Sequence, residues 1–407
     1  MHRGTADGAD ESTPFLSPPY ESSIRMLEGI NVALGITGSI AAVKTVELAH
    51  EFRRHGASVR GIMSASAQGI IHPWSVEYAT DNPVVTEITG KIQHVDLCGF
   101  DGWADVFVIA PATANTVGKI AGAIDDTPVT TCATTALGSD TPVVIAPAMH
   151  EPMYDHPGVL EAIERVEAWG VDFVDPRIEE GKAKIASEEA IVSDVARACG
   201  DRPLERKRVV VTAGATSEAI DPIRVLTNRS SGQMGREIAR ACYVRGADVT
   251  LVQNGPDVHY ATVVDVESAS EMVDRTVDVC TEADVLVSAA AIGDFAVPTQ
   301  SEKIRSGASL TLELDPTPKL LDTVRSHRPD LSIVGFKAET SGSDEAMIEA
   351  SRELLDRVDC SFVVANDANV MGSDRTRAFL VHAQDVAKYE GPKAGLAAEI
   401  ADAIAVL

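Results

Sequence analysis

VVVTAGATSEAIDPIRVLTNRSSGQMG, running from Val209 to Gly235, sets the frame in which the rest of the chain is read. Its apolar, β-branched start reads as a buried strand, its middle as a long polar loop, and Ser230–Ser231–Gly232 as the start of a helix. A strand feeding a Gly- and Ser-rich helix start makes an anion site, because unpaired backbone N–H groups and the helix dipole converge there. The connection is far longer than the roughly 2–6 residues usual between strand and helix, and long loops in compact domains tend to carry function.

Downstream, a Gly246 helix stop is followed by a strand from Ala247 to Val252, and YVRGADVTLV echoes RRHGASVRGI in the first half. Both phrases are helix–Gly–strand corners of α/β units. Further buried strands are expected at Val285 to Ala291, Ser332 to Phe336 and Ser361 to Ala365, ending in the polar clusters AAIGDFAV, GFKAET and ANDANV. Lys303, Lys319 and Lys337 stand near those ends as candidate phosphate ligands. Asp294 is a candidate for Mg²⁺, for a sugar hydroxyl or simply for a helix cap.

Upstream, INVALGIT (residues 30–37) is the expected first strand. Gly38–Ser39 follows, then a helix through Arg54 with Ala42, Val43, Val46, Ala49 and Phe52 on its core face and Gly56 as its stop. The G-x-G-x-x-G fingerprint is missing, so a nicotinamide dinucleotide site is unsupported, while a single phosphate at the Ser39 cap fits. Two later strands end in IAPATANT and IAPAMHEPM. Ligands of doubly wound sheets bind at carboxyl ends of strands, so Thr113, Asn115, Thr116 and His150 are expected to border one crevice. A charged hairpin turning at Gly181 is expected over residues 175 to 187. His94 has no partner nearby in sequence, and no His pair has the spacing of a zinc site. The breakers Gly200–Asp201–Arg202–Pro203 and the ERKR run end the first half, giving a disordered tail over 1–26 and domains over 27–199 and 205–407.

Composition narrows the classes. The 407 residues fit two or three domains, and 45% are hydrophobic without any run long enough to span a bilayer. With 35 basic and 61 acidic residues the net charge is −26, which argues against nucleic-acid binding. The acidic surface, with Arg favoured over Lys, suggests adaptation to high salt. Six scattered cysteines without a C-x-x-C pair suggest a reduced, cytoplasmic setting.

GSIAA (38–42), PATANT (111–116) and PAMHEPM (147–153) resemble the flavin-containing cysteine decarboxylase family. TAGATSEAIDPIR, LTNRSSGQMG, AAIGDF, EKI and GFKAET resemble phosphopantothenate–cysteine ligase. In this order they are similar to the bifunctional decarboxylase–ligase family of coenzyme A biosynthesis. The resemblance implies two doubly wound, Rossmann-like α/β domains, the first flavodoxin-like. It implies FMN contacts at Gly38, Ser39, Ser64, Thr113 and Asn115, and a decarboxylase active site with His94 and His150. For the ligase it implies Asn228 at an acyl-cytidylate intermediate and Lys303 at the phosphates. CTP contacts fall at Ser288, Ala289, Ala290, Asp294, Lys303, Pro318, Lys319, Leu320, Leu321 and Phe336, with Mg²⁺ on the triphosphate. The substrates implied are 4′-phosphopantothenate, cysteine, CTP and 4′-phosphopantothenoylcysteine, and the assembly a homo-oligomer of flavin-domain trimers and ligase-domain dimers.

Three departures stand out. His150 replaces the Asn of the PXMN motif, the flap sequence IEEGKAKIA has no cysteine to donate a proton, and Gln233 replaces the lysine of SSGKMG. The first two leave open an alternative, an active ligase fused to a flavin-binding module that only scaffolds or regulates.

Overall fold

The computed structural model describes residues 25–179, 182–305, 310–339, 343–367 and 375–407. Residues 1–24 of the expected tail and the expected turn at Gly181 lie outside them. Met26 packs against the first core.

The first half contains β1 (Asn31–Ile36), β2 (Ser58–Met63), β3 (Val106–Ala112), β4 (Val143–Pro147), β5 (Met149–His150), β6 (Asp172–Phe173), β7 (Arg177–Glu179) and β8 (Lys182–Lys184). Its main sheet is parallel with order β2-β1-β3-β4-β6. This is the flavodoxin-like order, with a switch point between β1 and β3. Strands covered on both faces need apolar residues at every position, and all seven residues of β3 are buried. Val32, Leu34, Val106 and Val108 enter one core cluster, while Ala33, Phe107 and Ile109 enter another on the opposite face. The remaining strands form a small separate sheet, β5-β8-β7.

The second half contains β9 (Arg208–Ala213), β10 (Ser217–Ala219), β11 (Val225–Thr227), β12 (Asp248–Gln253), β13 (Thr262–Asp265), β14 (Val285–Ser288), β15 (Phe295–Ala296), β16 (Asp315–Pro316), β17 (Ser332–Glu339), β18 (Phe362–Asp367), β19 (Arg375–Val381) and β20 (Val386–Pro392). The main sheet runs β13-β12-β9-β14-β17-β18-β19-β20, parallel as far as β18 and antiparallel beyond. Val209 and Val211 face one cluster and Val210 the other.

Local differences from the sequence reading have physical causes. The segment after Ser39 begins as a 3-10 helix, Ile40–Lys44, before the α-helix Thr45–Arg54. The tighter winding advances the phase, so Val43 is 57% exposed while Thr45 and Leu48 take the core. The long loop after β9 is largely the hairpin β10–β11. The next helix starts at Gln233, capped by Gly232 at φ 72°. A Cβ at Gly232 would come within 2.7 Å of Gly214 backbone, and one at Gly235 within 2.5 Å of Ala213 Cβ. Gly235 therefore serves close helix–strand packing rather than a phosphate cradle.

The halves meet along the helices Glu188–Cys199 and Gln233–Val244. Arg197 donates to the carbonyls of Tyr243, Ala247 and Gly246, and its guanidinium lies 4.4 Å over the Tyr243 ring. Tyr243 Oη donates to Asp194 over 2.9 Å, and Arg240 pairs with Glu189 at 2.7 Å.

Candidate functional site

At the carboxyl edge of the first sheet, the loop after β1 passes so close to the β2 loop that a Cβ on Gly38 would lie 2.5 Å from Ser66 Oγ. Thr37 fixes the neighbouring β3 end, its Oγ1 donating to Pro111 O (2.7 Å) and accepting from Thr113 N (3.2 Å). Thr113 then caps the helix Ala114–Ala121 and lies 3.0 Å from Thr116 Oγ1. Between these loops is a cavity of about 540 Å³ bordered by Gly38, Ser39, Thr113, Met149 and His150. The β7–β8 hairpin closes one side, with His150 paired in register to Lys182. Lys44, Arg177 and Lys184 bring cationic side chains to the same wall, which suits a phosphate ester beside a flat apolar group.

The other first-half residues singled out by the motifs lie elsewhere. Ser64 is buried and caps the helix Ala65–Gln68. Asn115 is exposed, and Thr116 is buried under the Thr113 cap. His94 lies on the helix Gln93–Cys98, half-buried, with its Nδ1 buried and lacking a hydrogen-bond partner. None of these residues is among those lining the cavity.

In the second half, the loop after β14 is tied to the loop after β9. Ala290 N donates to Thr212 Oγ1, Ala291 N to Gly214 O, and Gly293 N to the buried Thr216 Oγ1. Asn228 adds a side-chain bond to Ala291 O at 3.1 Å. A cavity of about 130 Å³ opens here, lined by Arg229, Ser230, Ser231, Ala289, Ala290 and Phe336, with Gln233, Asn366 and Lys393 completing its polar wall. Ser230 and Ser231 hydroxyls accept from the amides of Gly232 and Gln233 at the helix start.

Ser288 is buried at the end of β14. Lys303, Asp294, Pro318 and Lys319 are exposed on the same edge, outside the cavity lining. β15–β16 pairing brings the last three together, and Lys319 Nζ binds Asp294 Oδ1 at 2.6 Å. Asp294 is thus an ion-pair partner, and among the described residues no three His, Cys, Asp or Glu side chains gather as metal ligands. Leu320 is buried in the core, with Leu321 partly buried against the same cluster, in the first turn of the helix Leu320–His327.

The sequence reading missed Asp221. This buried carboxylate accepts from the amides of Ile223, Arg224 and Ile304 at 2.8, 2.9 and 3.1 Å and pairs with the Arg224 guanidinium. Burial alone would raise its pKa, but these donors hold it down at about 2. It anchors the turn that carries Lys303 to the β10–β11 hairpin. The Asp–Pro pair at its position was the available signal.

Residues 20–200 match the family model described as Flavoprotein, and residues 204–407 match the DNA/pantothenate metabolism flavoprotein C-terminal domain. The coenzyme A biosynthesis bifunctional protein CoaBC of Thermococcus kodakarensis is 50% identical over 375 residues, covering 91% of this chain and 93% of its own. Its counterpart in Methanocaldococcus jannaschii is 33% identical, covering 93% and 94%, and that of Bacillus subtilis 33%, covering 86% and 88%. The chain belongs to this family of bifunctional coenzyme A biosynthesis enzymes, which join a decarboxylase and a ligase in one polypeptide.

Proposed function

We propose that the C-terminal half ligates 4′-phosphopantothenate to cysteine using CTP, and that the N-terminal half decarboxylates the 4′-phosphopantothenoylcysteine formed, with FMN in the Gly38–Thr113 cavity. The observation that carries this reading is the pair of cavities at the carboxyl edges of two sheets in a chain whose halves match the two family models.

A carboxylate is a poor electrophile. Its attack on the CTP α-phosphate would give an acyl-cytidylate and pyrophosphate, and the cysteine amine would then displace CMP. The protein's part is to position groups and to neutralise developing phosphate charge. Lys303, on the turn anchored by Asp221, serves the phosphates, and Asn228 the intermediate. Ser288, Ala289, Ala290 and Phe336 bound the nucleotide, with Asp294, Lys319 and the first turn of the Leu320 helix on its outer side. Mg²⁺ is carried on the triphosphate.

In the flavin half the residues present fit FMN: the glycine at 38 leaves room, Ser39 and Thr113 offer hydroxyls, and cations stand at the wall. FMN supplies a reversible electron acceptor to a substrate that has no electron sink of its own. His150 holds the substrate carboxylate, and the hairpin with Lys182 and Lys184 covers it. His94 reaches the cavity of a neighbouring copy in a flavin-domain trimer. Ile92, Val95 and Phe100 are exposed around it, as Ile40 and Val43 are at the cavity rim, which supports such a contact.

The test is one assay on FMN-replete full-length protein given phosphopantothenate, cysteine and each nucleoside triphosphate in turn, following product and CO₂. CTP-dependent product with CO₂ release is expected. Product without CO₂, from yellow protein, would favour the second reading, in which the flavin module only scaffolds. That reading is motivated by His150 and by the lack of cysteine in the hairpin sequence. The acidic surface is read as adaptation to high salt, and full activity retained after dialysis into dilute buffer would remove that reading.

A further inference from the structure

In a chain of net charge −26, the second-half cavity is lined by no Asp or Glu among the described residues. Two cations line it. Lys393 is already engaged, with Nζ 3.3 Å from Gln233 Oε1. Arg229 is exposed and, among the described residues, has no hydrogen bond, ion pair or ring contact. The chain on either side of it is nevertheless fixed. Thr227 Oγ1 donates to Thr216 O at 2.8 Å, Asn228 Nδ2 to Ala291 O at 3.1 Å, and Gly232 N to Ser230 Oγ at 3.3 Å. The fold thus places this guanidinium at the cavity and gives it nothing to bind.

That placement is unfavourable without an anion. The helix Gln233–Val244 begins at Gly232, a cap with no side chain to accept from the first-turn amides, and its residues Gln233 and Met234 line the cavity. The positive end of the helix dipole therefore borders the same space as Arg229, and cations are disfavoured there. A second group points the same way. Thr376, on β19, lines the cavity at only 4% exposure, and its hydroxyl has no partner among the described residues. A buried hydroxyl left unpaired is itself destabilising. A guanidinium, a spare hydroxyl and a helix start are all donors, so together they fit one anionic acceptor. The volume of about 130 Å³ is below the roughly 300–1,000 Å³ of sites that take whole small molecules, which suits a phosphoryl group rather than a nucleotide.

We infer that Arg229 and Thr376 together bind a phosphoryl group of a ligase substrate. The inference rests on the ligase reading above. Two sources share this chemistry, the CTP triphosphate and the phosphopantothenate monophosphate.

The test uses full-length Arg229→Gln, Arg229→Lys and Thr376→Val. Arg275→Gln, exposed on the helix Ala269–Cys280, controls for the loss of one surface charge. The KM for CTP and the KM for phosphopantothenate are measured separately, beside thermal stability and CO₂ release. Arg229→Gln is expected to raise one of the two KM values about 10- to 100-fold, a charge-assisted contact being lost, with stability and decarboxylation held. Thr376→Val should raise the same KM by a smaller factor. The KM that moves names the phosphate. Arg229→Lys, which keeps the charge, should recover part of the loss, and Arg275→Gln should change neither value. Variants that raise different KM values would overturn the inference, as would a folded, ligating variant of either residue that raises none. A loss that Arg229→Lys does not recover, or that Arg275→Gln reproduces, would overturn it equally. Wild-type protein that never ligates would remove the ligase reading itself, and the inference with it.

Discussion

Around the first-half cavity, Ile40, Val43 and Met153 stand 77%, 57% and 47% exposed. At the same edge of the second sheet, the loops are tied within the chain by Thr212, Thr216, Asp221 and Asn228. One crevice leaves apolar surface to be covered, and the other is cross-linked before any ligand arrives. Exposed apolar surface of this kind marks a ligand or a partner, while internal hydrogen bonds lower the ordering cost of binding. The difference fits the proposed chemistry. A flat flavin ring and a neighbouring copy would cover the first, whereas an acyl-cytidylate requires fixed polar groups in the second.

The strongest way to break the contrast is to cut a tie. Asp221→Ala removes the acceptor of three amides and the partner of Arg224. The Lys303 turn then loses its anchor, and kcat/KM for ligation should fall on the order of 100-fold or more. CO₂ release from added phosphopantothenoylcysteine should be unchanged. Ligation at wild-type rate would show that the turn is held by something else.

His94→Asn probes the opposite crevice. Decarboxylation should drop roughly 100-fold or more if the imidazole moves a proton, with ligation unaffected. Co-expression with His150→Ala should restore part of the activity, since mixed trimers would contain cavities with both histidines intact. Additive losses without any rescue would place both groups in one subunit.

Much of the fold was legible because its signals are local. The buried runs of β1, β3, β4 and β9 are continuous and apolar, and Gly56 and Gly246, at φ 92° and 98°, end their helices where the pattern stops. The 3-10 start at Ile40 was not legible, since a shift in winding leaves the composition unchanged. The hairpin hidden in residues 217–227 was missed because all three residues of VLT are exposed, so no face-alternation marks it. In the sites, motif residues were readable as short phrases, but their meeting was not. Lys393 and Gln233 meet only because the helices Gln233–Val244 and Lys393–Ala405 pack together in one core cluster, and Ser64 and Asn115 lie off the cavity although their phrases flank it.

Gly38→Ala should have a smaller effect. Its methyl group meets Ser66 Cβ and Oγ at 2.5 Å, so the loop must shift by a few tenths of an ångström or more. Flavin affinity should weaken about 10-fold, read by titrating apoprotein fluorescence, while ligation stays intact. Unchanged affinity would mean that the cavity wall yields freely.

The smallest effect expected lies between the halves. Asp194, half-buried beside Tyr243, has its pKa pushed up to about 6, chiefly by desolvation and further by Asp172 and Asp175, against the Tyr243 hydrogen bond and Arg197. His259 also faces it, Nε2 to Oδ1 at 3.9 Å, with its own pKa lowered by burial. An Asp in the unfolded chain titrates near about 3.9. The native state therefore binds the extra proton between about pH 4 and 6, and Asp194's contribution to stability is full below that window and lost as the pH rises through it. His259 titrates nearby with the opposite sign, so the wild-type curve alone cannot isolate Asp194. Asp194→Asn keeps an acceptor for the Tyr243 hydroxyl and removes the titration. Relative to wild type it should gain stability as pH rises from 4 to 7, by about 1–3 kcal/mol. The measurement is the difference in apparent Tm between the two proteins across that range. A difference that stays flat would mean that Asp194 is ionised at no net cost, and that the contact between the halves does not depend on its charge.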